Sequence, residues 1–190
     1  MIETIIIQGI GFIGVACFIL SYQIKSNKAL YLMQMAGSGL FCVQFMLMGA
    51  YSGCLNLIVI MIRNILLTKA DEWKWIQWKG WVAVFTAVSA VILYFTWAGP
   101  LSLLPFIALV AATIGYWTNN AQKIRLANLV VSCPAWLIYD IAVGSIGGVI
   151  NELVTMGSIV VSIYRYGWKN MNDPDFGKSV PESEEKQEEA

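Results

Sequence analysis

Histidine is absent from the chain, charged residues make up only 13% of it, and cysteine occurs just four times. The first absence removes the commonest metal ligand and the usual general base together. The cysteines, Cys17, Cys42, Cys54 and Cys133, stand singly in apolar stretches. That spacing argues against a disulfide framework or a zinc site, and they read as small packing residues. Twelve basic and twelve acidic residues cancel. Most of the carboxylates crowd the last segment, so no basic surface for nucleic acid is expected. No G-x-x-x-x-G-K-[ST] stretch occurs, so nothing points to ATP. With no metal constellation and no nucleophile–base pair, an intramembrane enzyme ranks last, and neither a cofactor nor a metal is expected.

What the chain has is apolar bulk. Of 190 residues, 58% are hydrophobic, and the mean hydropathy is +0.65. A soluble domain of this size carries far more charge, so the expected solvent is a lipid bilayer. The opening MIET has no basic region before its apolar run and no small-residue cleavage site follows. The first span is therefore expected to be retained.

Apolar runs long enough to cross hydrocarbon as helices fall at 5–23, 29–49, 51–68, 81–98, 101–118, 125–143 and 146–166. Glycine, proline and polar clusters separate them, among them KSNK, GAYSG, AGPL, NNAQK and GSIGG. The joints alternate in charge. Lys25 and Lys28 follow the first span; Lys69, Lys74 and Lys79 the third; Lys123 and Arg125 the fifth; Arg165 and Lys169 the seventh. The other joints hold no Lys or Arg. Basic residues stay on the cytoplasmic side, which predicts an N-terminus outside and a C-terminus inside. Trp73, Trp75, Trp78 and Trp168 flank spans and read as headgroup-level anchors. The expected domain covers 1–168, and residues 169–190, rich in carboxylates, read as a disordered cytoplasmic tail.

The chain also echoes itself. GAYSGCLN at 49–56 and GSIGGVIN at 144–151 share Gly, Gly and Asn at equal spacing. At that offset Gly49 meets Gly144, Gly53 meets Gly148 and Asn56 meets Asn151. Earlier in the units the offset is one residue less, pairing Phe12 with Phe106 and Ser38 with Ser132. One inserted residue late in the sixth span reconciles the two. Residues 5–68 and 101–166 thus read as two three-helix repeats, with the span at 81–98 as a linker that restores parallel orientation. The expected fold is all-α: a polytopic seven-helix bundle in a 3+1+3 parallel-repeat arrangement.

Polar side chains in lipid face the bundle interior, so their pattern maps the inside. Asn128, Ser132, Trp136 and Asp140 form a stripe at every fourth residue of the sixth span. Asn151, Thr155, Ser158 and Ser162 stripe the seventh. Gln34, Ser38, Phe41, Cys42 and Phe45 stripe the second, while Asn56 and Arg63 share a face of the third. The fourth span offers only Thr86, Ser89 and Thr96, hydroxyls able to bond back to their own helix. Arg63 lies near a helix end and is expected to snorkel to the interface. Asp140 is expected to reach outer water. Glu152, two turns into the seventh span, is the strongest intramembrane candidate for a substrate or proton contact, set against a structural pairing.

The QGIGFIG opening, the GSIGG joint, Glu152 and the closing IYRY together resemble the YgjV family of bacterial inner-membrane proteins over the whole chain except the tail. More distantly, the 3+1+3 plan is similar to the SWEET sugar carriers and the PnuC vitamin-precursor transporters. The SWEET resemblance implies a mid-membrane site in which Asn56 and Asn151 bond a solute and Trp136 stacks on it, with Phe41 or Cys42 as its counterpart. Where such repeats carry Pro-Gln, this chain has Tyr22-Gln23, and most hinge prolines are missing; Pro134 remains. Gln23, Arg63 and Asp140 are the candidates for gating or coupling.

The expected function is a facilitator or secondary transporter of a small neutral polar metabolite in a bacterial inner membrane. The alternative is a non-transporting receptor, regulator or assembly factor whose tail binds a cytoplasmic partner. A homo-oligomer is compatible with either. The topology has a direct test: a reporter fused at Ser145 should read as external, and cytoplasmic activity at that joint would reverse the orientation.

Overall fold

The computed structural model describes residues 2–21, 27–69, 73–118 and 120–172. Gln23, Lys25 and the segment from 173 onward fall outside the described residues. Among the described residues, seven helices make up the body. They are α1 (Ile2–Ser21), α2 (Asn27–Leu47), α3 (Tyr51–Thr68), α4 (Gly80–Phe95), α5 (Leu103–Trp117), α6 and α7 (Ile146–Tyr166). α6 runs in three pieces: α-helical Ala121–Ala127, π-helical Asn128–Ser132 and α-helical Cys133–Val143. By length and composition, Tyr51–Thr68, Pro100–Trp117, Gln122–Val143 and Ile146–Arg165 can each cross a bilayer; Thr4–Leu20, Met35–Leu47 and Gly80–Phe95 are shorter apolar helices.

The π turn has a local cause. Pro134 has no N–H to offer the carbonyl one turn back, and its ring crowds that carbonyl. The helix widens ahead of it, and the Cys133 N–H bonds the Asn128 carbonyl instead. Such single-turn expansions are recurrent features of functional sites.

Two tight turns join helices at the same end of the bundle. Gly49 and Gly144 both sit at positive φ, 72° and 77°, a left-handed conformation that glycine adopts without a Cβ clash. Each turn closes with the same backbone bonds: Ala50 N–H to the Phe45 carbonyl and Ser145 N–H to the Asp140 carbonyl, both at 2.8 Å.

Packing follows a ring. α1 lies on α2, α2 on α3, α3 on α5, α5 on α6, α6 on α7, and α7 returns to α1. α4 stands outside this ring, against α3 and α5. Phe45, Ala108, Trp136 and Tyr139 form a core between α2, α3, α5 and α6, and Val59, Phe85 and Leu109 form a second beneath α4. The outer surface is apolar; Tyr164, Tyr94 and Phe95 are 93%, 80% and 78% exposed. In water that surface would aggregate, whereas lipid solvates it.

Two expectations change at the edges. The fourth helix does have a polar contact, since Ser89 is fully buried and donates to Asn56 Oδ1. The folded body also runs past residue 169. Asn170–Asn172 forms a 3₁₀ turn with Met171 fully buried, and Asn120 Nδ2 donates to Asn172 Oδ1 at 2.9 Å.

The ring closes where two glycines meet. A Cβ on Gly147 of α7 would stand 2.8 Å from the Gly11 carbonyl carbon of α1, a backbone atom that cannot swing aside. Gly147→Val should therefore lower the melting temperature of the detergent-purified protein, at a cost of ~1–3 kcal/mol. Gly9→Ala, where a Cβ meets nothing within 4 Å, should leave it unchanged or slightly raised.

Candidate functional site

All six helices of the ring contribute to a cavity of about 160 Å³ at their centre. Phe18 comes from α1; Ser38, Phe41 and Phe45 from α2; Arg63 and Asn64 from α3; Ala112 and Tyr116 from α5. α6 adds Asn128, Ser132, Cys133, Trp136 and Asp140, and α7 adds Gly148, Asn151, Glu152 and Thr155. The α6 stripe expected from the sequence thus faces one space along its length, even though the π turn interrupts its register. α4 contributes nothing to the lining.

One end of the cavity is cationic. Arg63 does not snorkel to an interface: it is 3% exposed and turned inward. Its Nη1 donates to Thr113 Oγ1 at 3.2 Å, and Nε and Nη2 both donate to Asn64 Oδ1, at 3.3 and 3.2 Å. The guanidinium carbon lies 4.6 Å from the Tyr116 ring centroid, a cation–π distance. Thr113 can accept from Arg63 because its own hydroxyl proton goes back to the Leu109 carbonyl. A guanidinium has five N–H groups, and these bonds use three. Among the described residues no carboxylate lies within ion-pairing distance of it.

The other end is acidic. Asp140 does not reach outer water: it is 2% exposed, and its buried Oδ1 has no hydrogen-bond partner among the described residues. The carboxyl group rests against the backbone of Gly148, where any Cβ would collide with it. One helical turn along α7, Glu152 Oε1 accepts from Asn151 Nδ2 at 3.2 Å, and the Cys133 thiol adjoins the same carboxyl group. Between the ends runs an aromatic wall. Phe45 and Trp136 stack at 6.1 Å between centroids, and Tyr139 packs edge-on to both.

Two expected site residues are elsewhere. Asn56 does not line the cavity. Fully buried, it donates from Nδ2 to the Ser52 carbonyl at 2.8 Å and accepts from Ser89. The reason lies in α4, which packs on α3 and supplies the hydroxyl that holds Asn56; α7 has no such neighbour, so Asn151 is left to the cavity. Cys42 also turns away, its sulfur 2.9 Å from that of Cys54 on α3. Gln23 lies outside the described residues. Thr113, Asn64 and Tyr116 were missed as a group, although Thr113 and Tyr116, three residues apart on one helix, could have flagged a polar face.

The joints are tied across the ring. Ser145 Oγ donates to Gln44 Oε1 at 3.2 Å, while Tyr139 donates its hydroxyl proton to the Ala50 carbonyl at 3.4 Å and its oxygen accepts from Gly53 N–H at 3.0 Å. Gln8 braces the Gly144 turn, donating to the Gly144 carbonyl at 2.8 Å and accepting from Ile146 N–H at 3.1 Å. Among the described residues no group of three or more acidic or cysteine side chains could hold a metal ion.

A family model described as bacterial inner membrane protein, Imp-YgjV, matches residues 5–170, which takes in every helix of the ring and the whole cavity. This chain belongs to the Imp-YgjV family of bacterial inner membrane proteins. No curated protein and no solved structure matches it. As an Imp-YgjV protein it is a multi-pass component of the inner membrane, and the apolar outer face meets the bilayer. Within this Imp-YgjV chain the Asn56–Ser89 contact is a fastening between α3 and α4. Asn56→Ala should lower stability by ~0.5–2 kcal/mol, read as a melting shift.

Proposed function

We propose that this protein is a SWEET-like facilitator or secondary transporter of a small polar metabolite without net charge. The observation that carries the reading is the central cavity, polar at both ends, to which every helix of the ring contributes. Polar and ionisable groups inside a membrane are costly, and a substrate or ion path is one of the uses that retain them. Asn151 and Glu152 bond the solute, Trp136 and Phe41 bound it laterally, and Arg63 and Asp140 govern its two ends. Transport, rather than catalysis or a cofactor-dependent reaction, is the proposed role.

The repeat plan supports alternating access. α1–α3 and α5–α7 are taken as two parallel units, with α4 as the linker outside them. The two contacts that close the ring are then of one kind, the third helix of one unit on the first helix of the other. The ties at the joints are reciprocal as well: Gln44 reaches Ser145, and Tyr139 reaches Ala50. Those two pairs exchange places under the same offset that relates Gly49 to Gly144. A π turn accommodates one extra residue, and Asn128–Ser132 stands close to the one-residue insertion that the repeat requires. Rocking of one unit against the other would open the cavity to each side in turn. The N-terminus is proposed to be external and the C-terminus cytoplasmic.

Binding only to the folded state raises apparent stability. A solute from a panel of sugars, nucleosides, amino acids and vitamin precursors should therefore raise the melting temperature of the purified protein. Asn151→Ala and Trp136→Ala, each folded, should abolish that rise and the uptake of the same solute. Truncation before residue 173 should leave uptake intact; loss of function on truncation would favour a tail-dependent adaptor.

A further inference from the structure

The cavity states more about its solute than polarity. Its ionisable groups are segregated, and among the described residues Arg63 pairs with neither carboxyl group. At one end Arg63 is held by neutral acceptors and the Tyr116 ring, with two N–H groups to spare. At the other end Asp140 is almost wholly buried with Oδ1 unpartnered among the described residues, and Glu152, one turn away along α7, has the Asn151 amide and the Cys133 thiol beside it. One helical turn is ~5.4 Å, so the two carboxyl groups can both approach a single cationic group. Among the described residues neither end supplies the partner of opposite sign that a charge held there would need.

Resting on the transport reading, we infer that the solute is a zwitterion whose ammonium group meets Asp140 and Glu152 and whose acidic group meets Arg63. The chemical class is an aliphatic amino acid with its charges separated along a chain. An ammonium has three donors suited to two carboxyl groups and the Asn151 carbonyl oxygen. An acidic group accepts the two remaining guanidinium protons in the planar fork that arginine favours. The lining near this end also holds the Ser132 and Thr155 hydroxyls, beside the Cys133 thiol and the carbons of Trp136 and Phe45, so sodium, which needs a shell of oxygens, is the competitor to test. Such a solute has no net charge yet satisfies both ends, which a sugar or alcohol does not.

The test uses the full-length protein in nanodiscs and reads melting temperature and equilibrium binding. The ligands are unbranched amino carboxylates from glycine to ε-aminocaproate, with the matched alkylamines, alkyl carboxylates and polyols. The inference predicts binding by zwitterions with an optimum chain length, and binding weaker by about tenfold or more for the single-ended analogues. Asp140→Asn and Glu152→Gln, near-isosteric and each checked for an unaltered melting curve without ligand, should weaken the zwitterion by a similar factor without weakening the matched carboxylate. Arg63→Lys should weaken the carboxylate end and leave amine binding unchanged. If polyols bind and zwitterions do not, the inference is overturned while the transport reading stands. Amines that bind equally well without an acidic group also overturn it. If sodium alone competes for Asp140, the end is an inorganic cation site and the inference is lost. If no solute of any class binds, both the inference and the transport reading fail.

Discussion

Hydrocarbon offers no hydrogen bonds, so every polar group that this chain carries into the membrane must find its partner inside the bundle or face an enclosed polar space. That constraint organises the ring. Gln8, Gln44, Tyr139 and Ser145 are spent on tying the Gly49 and Gly144 joints together. Asn56 and Ser89 satisfy each other across α3 and α4. What is left over, Arg63, Asp140, Asn151 and Glu152, converges on the cavity. Fastening groups and cavity groups are thereby sorted by whether another helix reaches them.

α4 makes the difference between the two asparagines. Asn56 and Asn151 occupy like positions in a repeated phrase, yet α4 captures only the first. The asymmetry also divides the charges. α3 contributes the guanidinium to one end of the cavity, while α6 and α7 contribute both carboxyl groups to the other. In the proposed transporter this gives the path a direction along which a solute with two unlike ends is oriented.

Much of the architecture is legible in the apolar runs, because lipid exposure forces long uninterrupted stretches and the joints carry the glycines and charges that end them. Each expected span corresponds to a helix. The π turn in α6 was not foreseen, although Pro134, which has no N–H to donate, marks where the α-helical ladder must change. Side-chain destinations were less legible. Helical periodicity places Asn56 and Arg63 on nearly one face, but it does not say which neighbour packs there. A long guanidinium can swing to α5 while a short amide is held by α4. Asp140, near a helix end, reads as solvent-facing until the Gly148 backbone is seen to cover it. Thr113 carried no signal of its own, because a lone threonine in a membrane helix bonds its own backbone as readily as a partner.

The central claim is that six helices enclose a polar cavity from which α4 and Asn56 are excluded. Single cysteines introduced into a cysteine-free background at Ser38, Asn64, Asn151, Thr155 and Asn56, then exposed in native membranes to a small polar thiol reagent, test it most directly. The account predicts that the first four react, that Asn56 does not, and that a bound solute protects the reactive positions together. Reaction at Asn56 with silence at Asn151 and Thr155 would contradict it, because the polar path would then lie between α3 and α4 and not within the ring.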